Sequence, residues 1–180
     1  MSQHAFVPPR PRVAPPVTDS NDPVAGSVLA HLPEALAAFQ HLYGVLWSTG
    51  PIEPALLELV RIRNARVTGC GFCKNVRFTV DGERPLPEAR LERVRDGWQS
   101  SDLSAREKAA LRLADALLHV PVELDAAGRR ELLARFDDAE IVELAAAVAI
   151  FMGFSKIAVA LGQAPESMPT LEMPMPTVQG

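Results

Sequence analysis

The stretch "EPALLELVRIRNARVTGCGFCKNVRF", Glu53 to Phe78, decides how the chain is to be read. Its first part is helical: Leu56, Val60, Asn64 and Val67 fall on one stripe, and Thr68-Gly69 supplies a stop. The rest, "CGFCKNVRF", can open a new helix with Cys70 and Cys73 in its first turn. In such a helix Cys73 and Arg77 lie four apart and share a face. The free N–H groups of a helix start, with Lys74 and Arg77 close by, favour a thiolate.

Helical periodicity continues on both sides. Upstream, "PEALAAFQHLYGVLWST" opens on Pro33 and repeats Leu36, Phe39, Leu42, Tyr43 and Leu46. Downstream, "LPEARLERVRDGW" reads as a short charged helix. Ser104 with Glu107 forms a capping box for "SAREKAALRLADALLHV", which Pro121 ends, and "DAAGRRELLARF" follows. Asp137 with Glu140 repeats the capping pattern at the head of "DDAEIVELAAAVAIFMGFSKIAVALG". That last helix is apolar nearly all round, as expected of one buried in a core or between subunits. No alternating strand pattern of useful length stands out. The expected fold is all-α: a single-domain helical bundle over 24–163, between Pro-rich arms at 1–23 and 164–180. The prolines of both arms read as extended chain, commonly loose and sometimes wrapped on a neighbour.

The chain has 180 residues, a net charge of -4 and 48% hydrophobic residues. That length supports one sizeable core. The mild acidity argues against a nucleic-acid surface. The N-terminus lacks the apolar run of a leader. The apolar run Leu144 to Ser155, bounded by Glu143 and Lys156, is too short to span a bilayer. These features point to a cytoplasmic protein without a membrane partner, where a close cysteine pair is more often catalytic or metal-binding than structural.

Cys70 and Cys73 are the only two cysteines. A zinc site needs about four ligands, and His4, His31, His41 and His119 show no matching spacing. A c-type haem anchor requires histidine directly after the second cysteine, where this chain has Lys74. A four-cysteine iron–sulfur cluster would require two subunits. Two readings remain: a pair of small buried hydrophobes, or a dithiol in which one sulfur attacks and the other resolves. A thioredoxin-like setting would need a strand before the pair. The other candidates are weaker. His41 and Tyr43 could line a pocket, Arg61, Arg63 and Arg66 read as a solvated face or an interface, and Trp47 and Trp98 read as packing residues.

Glu58 lies 12 positions before Cys70. With the C-x-x-C and the helical frame, it resembles the alkylhydroperoxidase D and carboxymuconolactone decarboxylase superfamily, whose redox members carry E-x11-C-x2-C-x3-H. The resemblance runs from about Leu32 to Gly162. It implies an alkylhydroperoxidase D-like bundle and a thiol peroxidase. Cys73 would attack a hydroperoxide, and Cys70 would resolve it as a disulfide and meet a dithiol or protein reductant. Glu58 would accept a proton or orient Arg77. Arg77 stands where the pattern has histidine, and a permanently charged guanidinium cannot relay a proton; it can hold a thiolate by charge or pair with Glu58. Without the spacing match, Glu58 is an ordinary partner of Arg61 on a solvated face and Arg77 a surface residue. The resemblance also implies trimers or hexamers, and no metal or organic cofactor is required. Alternative functions are a non-peroxidatic disulfide module or sensor, a cofactorless decarboxylase-like lyase, and an interaction protein.

Overall fold

The computed structural model describes residues 12–17, 19, 23–24, 26–161 and 168–175. Among them are seven α-helices: α1 (Pro33–Ser48), α2 (Pro54–Val67), α3 (Gly71–Asn75), α4 (Glu88–Leu91), α5 (Ala105–Leu118), α6 (Ala126–Leu133) and α7 (Asp138–Ala160). Both expected capping boxes are formed, Ser104 with Glu107 before α5 and Asp137 with Glu140 before α7. Each gives two orphaned N–H groups a side-chain acceptor, which is why the helices start there.

α2 runs through the centre of the bundle, packed by α5 and α7. Every residue from Leu56 to Ala65 is buried, so the single stripe read from the sequence understates its enclosure. This overturns the solvated reading of its arginines. Arg61 is 3% exposed and Arg63 is 7% exposed. Arg63 reaches Asp115 at 2.6 Å and Asp96 at 2.8 Å, and Arg66 reaches Glu92 at 2.8 Å. Guanidinium groups tolerate this because each fork meets at least one carboxylate. Trp47 and Trp98 are buried packing residues, and the Trp98 indole N–H also donates to Asp115 at 3.0 Å.

α7 buries one stripe, Leu144, Ala147, Val148, Phe151 and Ser155, against the bundle. Its opposite side, with Ala139, Val142, Ala146, Ala149 and Gly153, is exposed. As a whole α7 is long and apolar enough to cross a membrane by length and composition, which the shorter run Leu144 to Ser155 did not convey. Glu143 is tucked in beside its buried stripe, where Oε2 accepts from the Ile52 N–H at 2.8 Å and fixes the α1–α2 connection. Burial pushes this carboxyl above its ordinary value, against the Ile52 bond.

The helical expectation fails at Val76. There the chain leaves α3 as β1 (Val76–Thr79) and pairs in parallel with β2 (Leu171–Pro174), Val76 opposite Leu171. Met175 N–H donates to the Thr79 carbonyl at 2.9 Å. This part of the Pro-rich tail is therefore bonded into the fold. At the other end Arg12 donates to the Ala160 and Leu161 carbonyls, so that portion of the N-terminal arm lies on its own chain. Pro8, Pro9, Pro11, Pro165 and Pro176, together with His4, lie outside the described residues.

Candidate functional site

The turn from α2 into α3 is built by its glycine. Gly69 sits at φ 71°, the left-handed region that side chains disfavour. Its N–H bonds the Arg66 carbonyl at 3.3 Å, and the Cys70 N–H bonds the Ala65 carbonyl at 3.0 Å. That pair of bonds is a Schellman stop. It delivers Cys70 directly to the N-cap of α3, where its Sγ accepts from the Cys73 N–H at 3.1 Å.

Cys70 and Cys73 form a disulfide, with Cα atoms 5.3 Å apart. Their surroundings differ. Cys70 is fully buried, whereas Cys73 is partly exposed. The resemblance implied that Cys70 meets the reductant, whereas the member of the pair with exposed surface is Cys73. α3 has only five residues, so little of a helix dipole acts here, and its cap N–H serves Cys70. Cys73 instead has a side-chain partner. The Ser155 hydroxyl of α7 donates to its Sγ at 3.4 Å, and Asn64 Nδ2 of α2 donates to that hydroxyl at 2.9 Å. Ser155 and Asn64 are each 1% exposed. The sequence reading missed Ser155 and used Asn64 only as a stripe position. The available signal was a polar residue at the helical spacing of Leu144, Val148 and Phe151.

Glu58 is buried, and both its oxygens face Arg61, at 2.7 Å from Nε and 2.6 Å from Nη2. The same guanidinium donates to the Cys73 carbonyl at 2.8 Å and the Val76 carbonyl at 2.7 Å, and it lies 5.0 Å from the Phe78 ring centroid. Burial pulls the Arg61 guanidinium down, but the charge and hydrogen bonds of Glu58 outweigh it and hold the group above its ordinary value. The Glu58–Arg61 pair is thus the i, i+3 pair of the plainer reading, moved from a solvated face to the interior. It clamps the backbone on both sides of the α3–β1 break.

Arg77 does not share a helix face with Cys73, because β1 has begun. Its Nε and Nη2 take the Glu88 carboxylate at 2.9 and 2.7 Å, and Nη1 takes the Lys74 carbonyl at 2.7 Å and that of Val76 at 2.9 Å. The expected Arg77–Glu58 pair is replaced by Arg77–Glu88. The Arg77 hydrogen bond draws the Glu88 carboxyl below its ordinary value. Tyr43 is buried, its ring 5.4 Å from that of Phe78, and burial pushes its phenol well up. His41 is exposed.

No protein-family model matches the chain. The uncharacterized protein Rv2313c of Mycobacterium tuberculosis is 35% identical over 111 residues, covering 62% of this chain. The match spans 39% of that protein, so the chain corresponds to about two fifths of its length. Among solved structures, ATU0492 of Agrobacterium tumefaciens, described as an AhpD antioxidant-defence protein of unknown function, aligns with a TM-score of 0.64 at 23% identity, covering 81% of this chain and 97% of that one. The debrominase Bmp8 aligns with a TM-score of 0.67 at 20% identity, covering 87% and 91%. The resemblance seen in the sequence therefore holds at the level of the fold: this chain has the alkylhydroperoxidase D-like fold, with a C-x-x-C disulfide closed at its α2–α3 turn.

Proposed function

We propose that the chain is a thiol oxidoreductase that reduces hydroperoxides through Cys73 and Cys70. The observation that carries this reading is the asymmetry of the pair: a partly exposed Cys73 whose sulfur has a buried hydroxyl donor, against a fully buried Cys70. In the reduced protein the Cys73 thiolate attacks the terminal peroxide oxygen. The O–O bond breaks, the alkoxide takes a proton from water to leave as alcohol, and Cys73 holds a sulfenic acid. Cys70 then attacks that sulfur, the disulfide forms and water leaves. A dithiol reductant attacks the Cys73 sulfur and expels the Cys70 thiolate towards the Cys73 N–H. The second thiol of the reductant displaces Cys73 and leaves oxidised. The Glu58–Arg61 clamp holds the segment in register.

The test is peroxide consumption under a dithiol such as dihydrolipoamide. Cys73→Ser is expected to abolish it, and a Cys73→Ser variant as fast as the parent removes the assignment. A second reading, disulfide exchange without peroxide reduction, is favoured by the engagement of Arg77 with Glu88, since position 77 then offers the sulfur no proton carrier. Reduction of a disulfide substrate with no consumption of hydrogen peroxide or cumene hydroperoxide would select it. Self-association of copies through the open face of α7 accompanies either reading, because Val142 is 68% exposed beside Ala139, Ala146, Ala149 and Gly153.

A further inference from the structure

A serine inside a helix usually returns its hydroxyl to the carbonyl four residues back, or lies at the surface. Ser155 does neither among the described hydrogen bonds. It is buried on the core stripe of α7, receives Asn64 Nδ2 on its oxygen at 2.9 Å, and sends its proton to Cys73 Sγ at 3.4 Å. A hydroxyl has one proton to give. With Asn64 occupying its acceptor side, that proton is aimed at the sulfur, and at 1% exposure little water competes for it. The three groups come from α2, α3 and α7, so the packing of the bundle sets their geometry.

We propose that Ser155, oriented by Asn64, is the hydrogen-bond donor that stabilises the Cys73 thiolate, supplying at the sulfur the polar contact that position 77 does not. This rests on the assignment of Cys73 as the reactive sulfur. A disulfide sulfur is a weak acceptor and a thiolate an ionic one, so the same bond strengthens on reduction. It therefore favours the reduced, ionised Cys73 over both the thiol and the disulfide. The charged groups around the pair are largely balanced elsewhere. Glu58 and Arg61 of α2 face each other, with Arg61 directed at the Cys73 carbonyl. Arg77 of β1 is held by Glu88 of α4. Lys74 of α3 follows Cys73 in the chain, and Lys156 of α7 is exposed. None of these side chains has a hydrogen bond to Cys73 Sγ among the described residues.

The test uses the reduced full-length chain, with alkylation by iodoacetamide followed at each cysteine by mass spectrometry across pH. Ser155→Ala is expected to raise the pKa of Cys73 by about one unit, roughly a tenfold loss of thiolate below that pKa, and to leave Cys70 unchanged. The disulfide should also become harder to reduce by about 30 mV in redox buffers, the tenfold change expressed for two electrons. Ser155→Thr, which keeps the hydroxyl, should restore both values. Because Ser155→Ala strands the Asn64 amide in the core, the double change Asn64→Leu with Ser155→Ala serves as the second variant, with the same shift expected. A Cys73 pKa and potential equal to the parent's in a folded variant overturn the proposal. Both readouts need no peroxide, so a parent that consumes none while Ser155→Ala moves them removes the peroxidase reading and keeps this one.

Discussion

The Glu58–Arg61 pair lends itself to a quantitative test. Their side chains are 2% and 4% exposed, so neither charge has water to fall back on. In Glu58→Ala the guanidinium loses both carboxylate bonds yet stays anchored to the Cys73 and Val76 carbonyls inside the bundle. Removing one partner of a buried pair costs about 3–5 kcal/mol, because an uncompensated charge remains. For a chain of this size each kcal/mol lowers Tm by about 2–4 °C, which predicts a fall of about 6–20 °C. Replacing both members, Glu58→Leu with Arg61→Met, removes the stranded charge and takes one donor from each of two carbonyls, of which that of Val76 keeps Arg77 Nη1. The double variant should therefore be more stable than either Glu58→Leu or Arg61→Met alone. Urea unfolding of the set measures the coupling directly. A Glu58→Ala variant within about 1 kcal/mol of the parent, or single effects that simply add, would refute the clamp. Glu58→Gln keeps the shape but removes the charge, so it too should lower stability; a peroxide turnover per folded molecule that falls as well would point to a proton-accepting role, and one that stays at the parent's level to a clamp alone.

Two further predictions concern α7. The Glu143 carboxyl is raised by burial, so the folded chain holds its proton to higher pH than the unfolded chain, and this group's contribution falls as pH rises above its ordinary 4.5. Glu143→Gln, which can still accept from the Ile52 N–H, should raise Tm most near neutral pH, and the gain should shrink as pH approaches 4.5; a pH-independent difference counts against this account. If the outer face of α7 joins copies of the chain, light scattering should give a mass above the 19.5 kDa of one chain, and Ala149→Glu should return it to that mass.

The bundle was legible because its helices carry their own punctuation. Pro33 opens α1, Thr68-Gly69 closes α2, and two side-chain boxes start α5 and α7, all from residues within a few positions of each other. What escaped depended on distant partners. Val76, Phe78 and Val80 do alternate with Arg77 and Thr79, a period-two signal, but so short a run becomes a strand only because Leu171–Pro174 returns to pair with it. The arginines of α2 looked solvated because charge is usually exposed. Their carboxylates, Asp96 and Asp115 for Arg63 and Glu92 for Arg66, sit 26 or more positions away. The Glu58 spacing and its i, i+3 partner Arg61 were both visible, whereas the burial of the pair depended on α2 being enclosed on every side.

The break at Val76 links three features that look separate in the sequence: the arginine at 77, the ordered stretch of the tail, and the serine on α7. Had α3 continued, residue 77 would stand one turn beyond Cys73 on the same face, where a histidine could reach the sulfur. Because the chain extends instead, residue 77 turns to Glu88 of α4, and Arg84 joins Glu88 to Glu172 of β2 at 3.7 and 2.6 Å. An arginine suits that place, since a fork that binds a carboxylate and two carbonyls at once helps fix the strand on which the tail docks. The position is then committed to the β1–β2 side of the fold. The side-chain hydrogen bond that the Cys73 sulfur does receive comes from the other side of the turn, where α7 passes and presents Ser155.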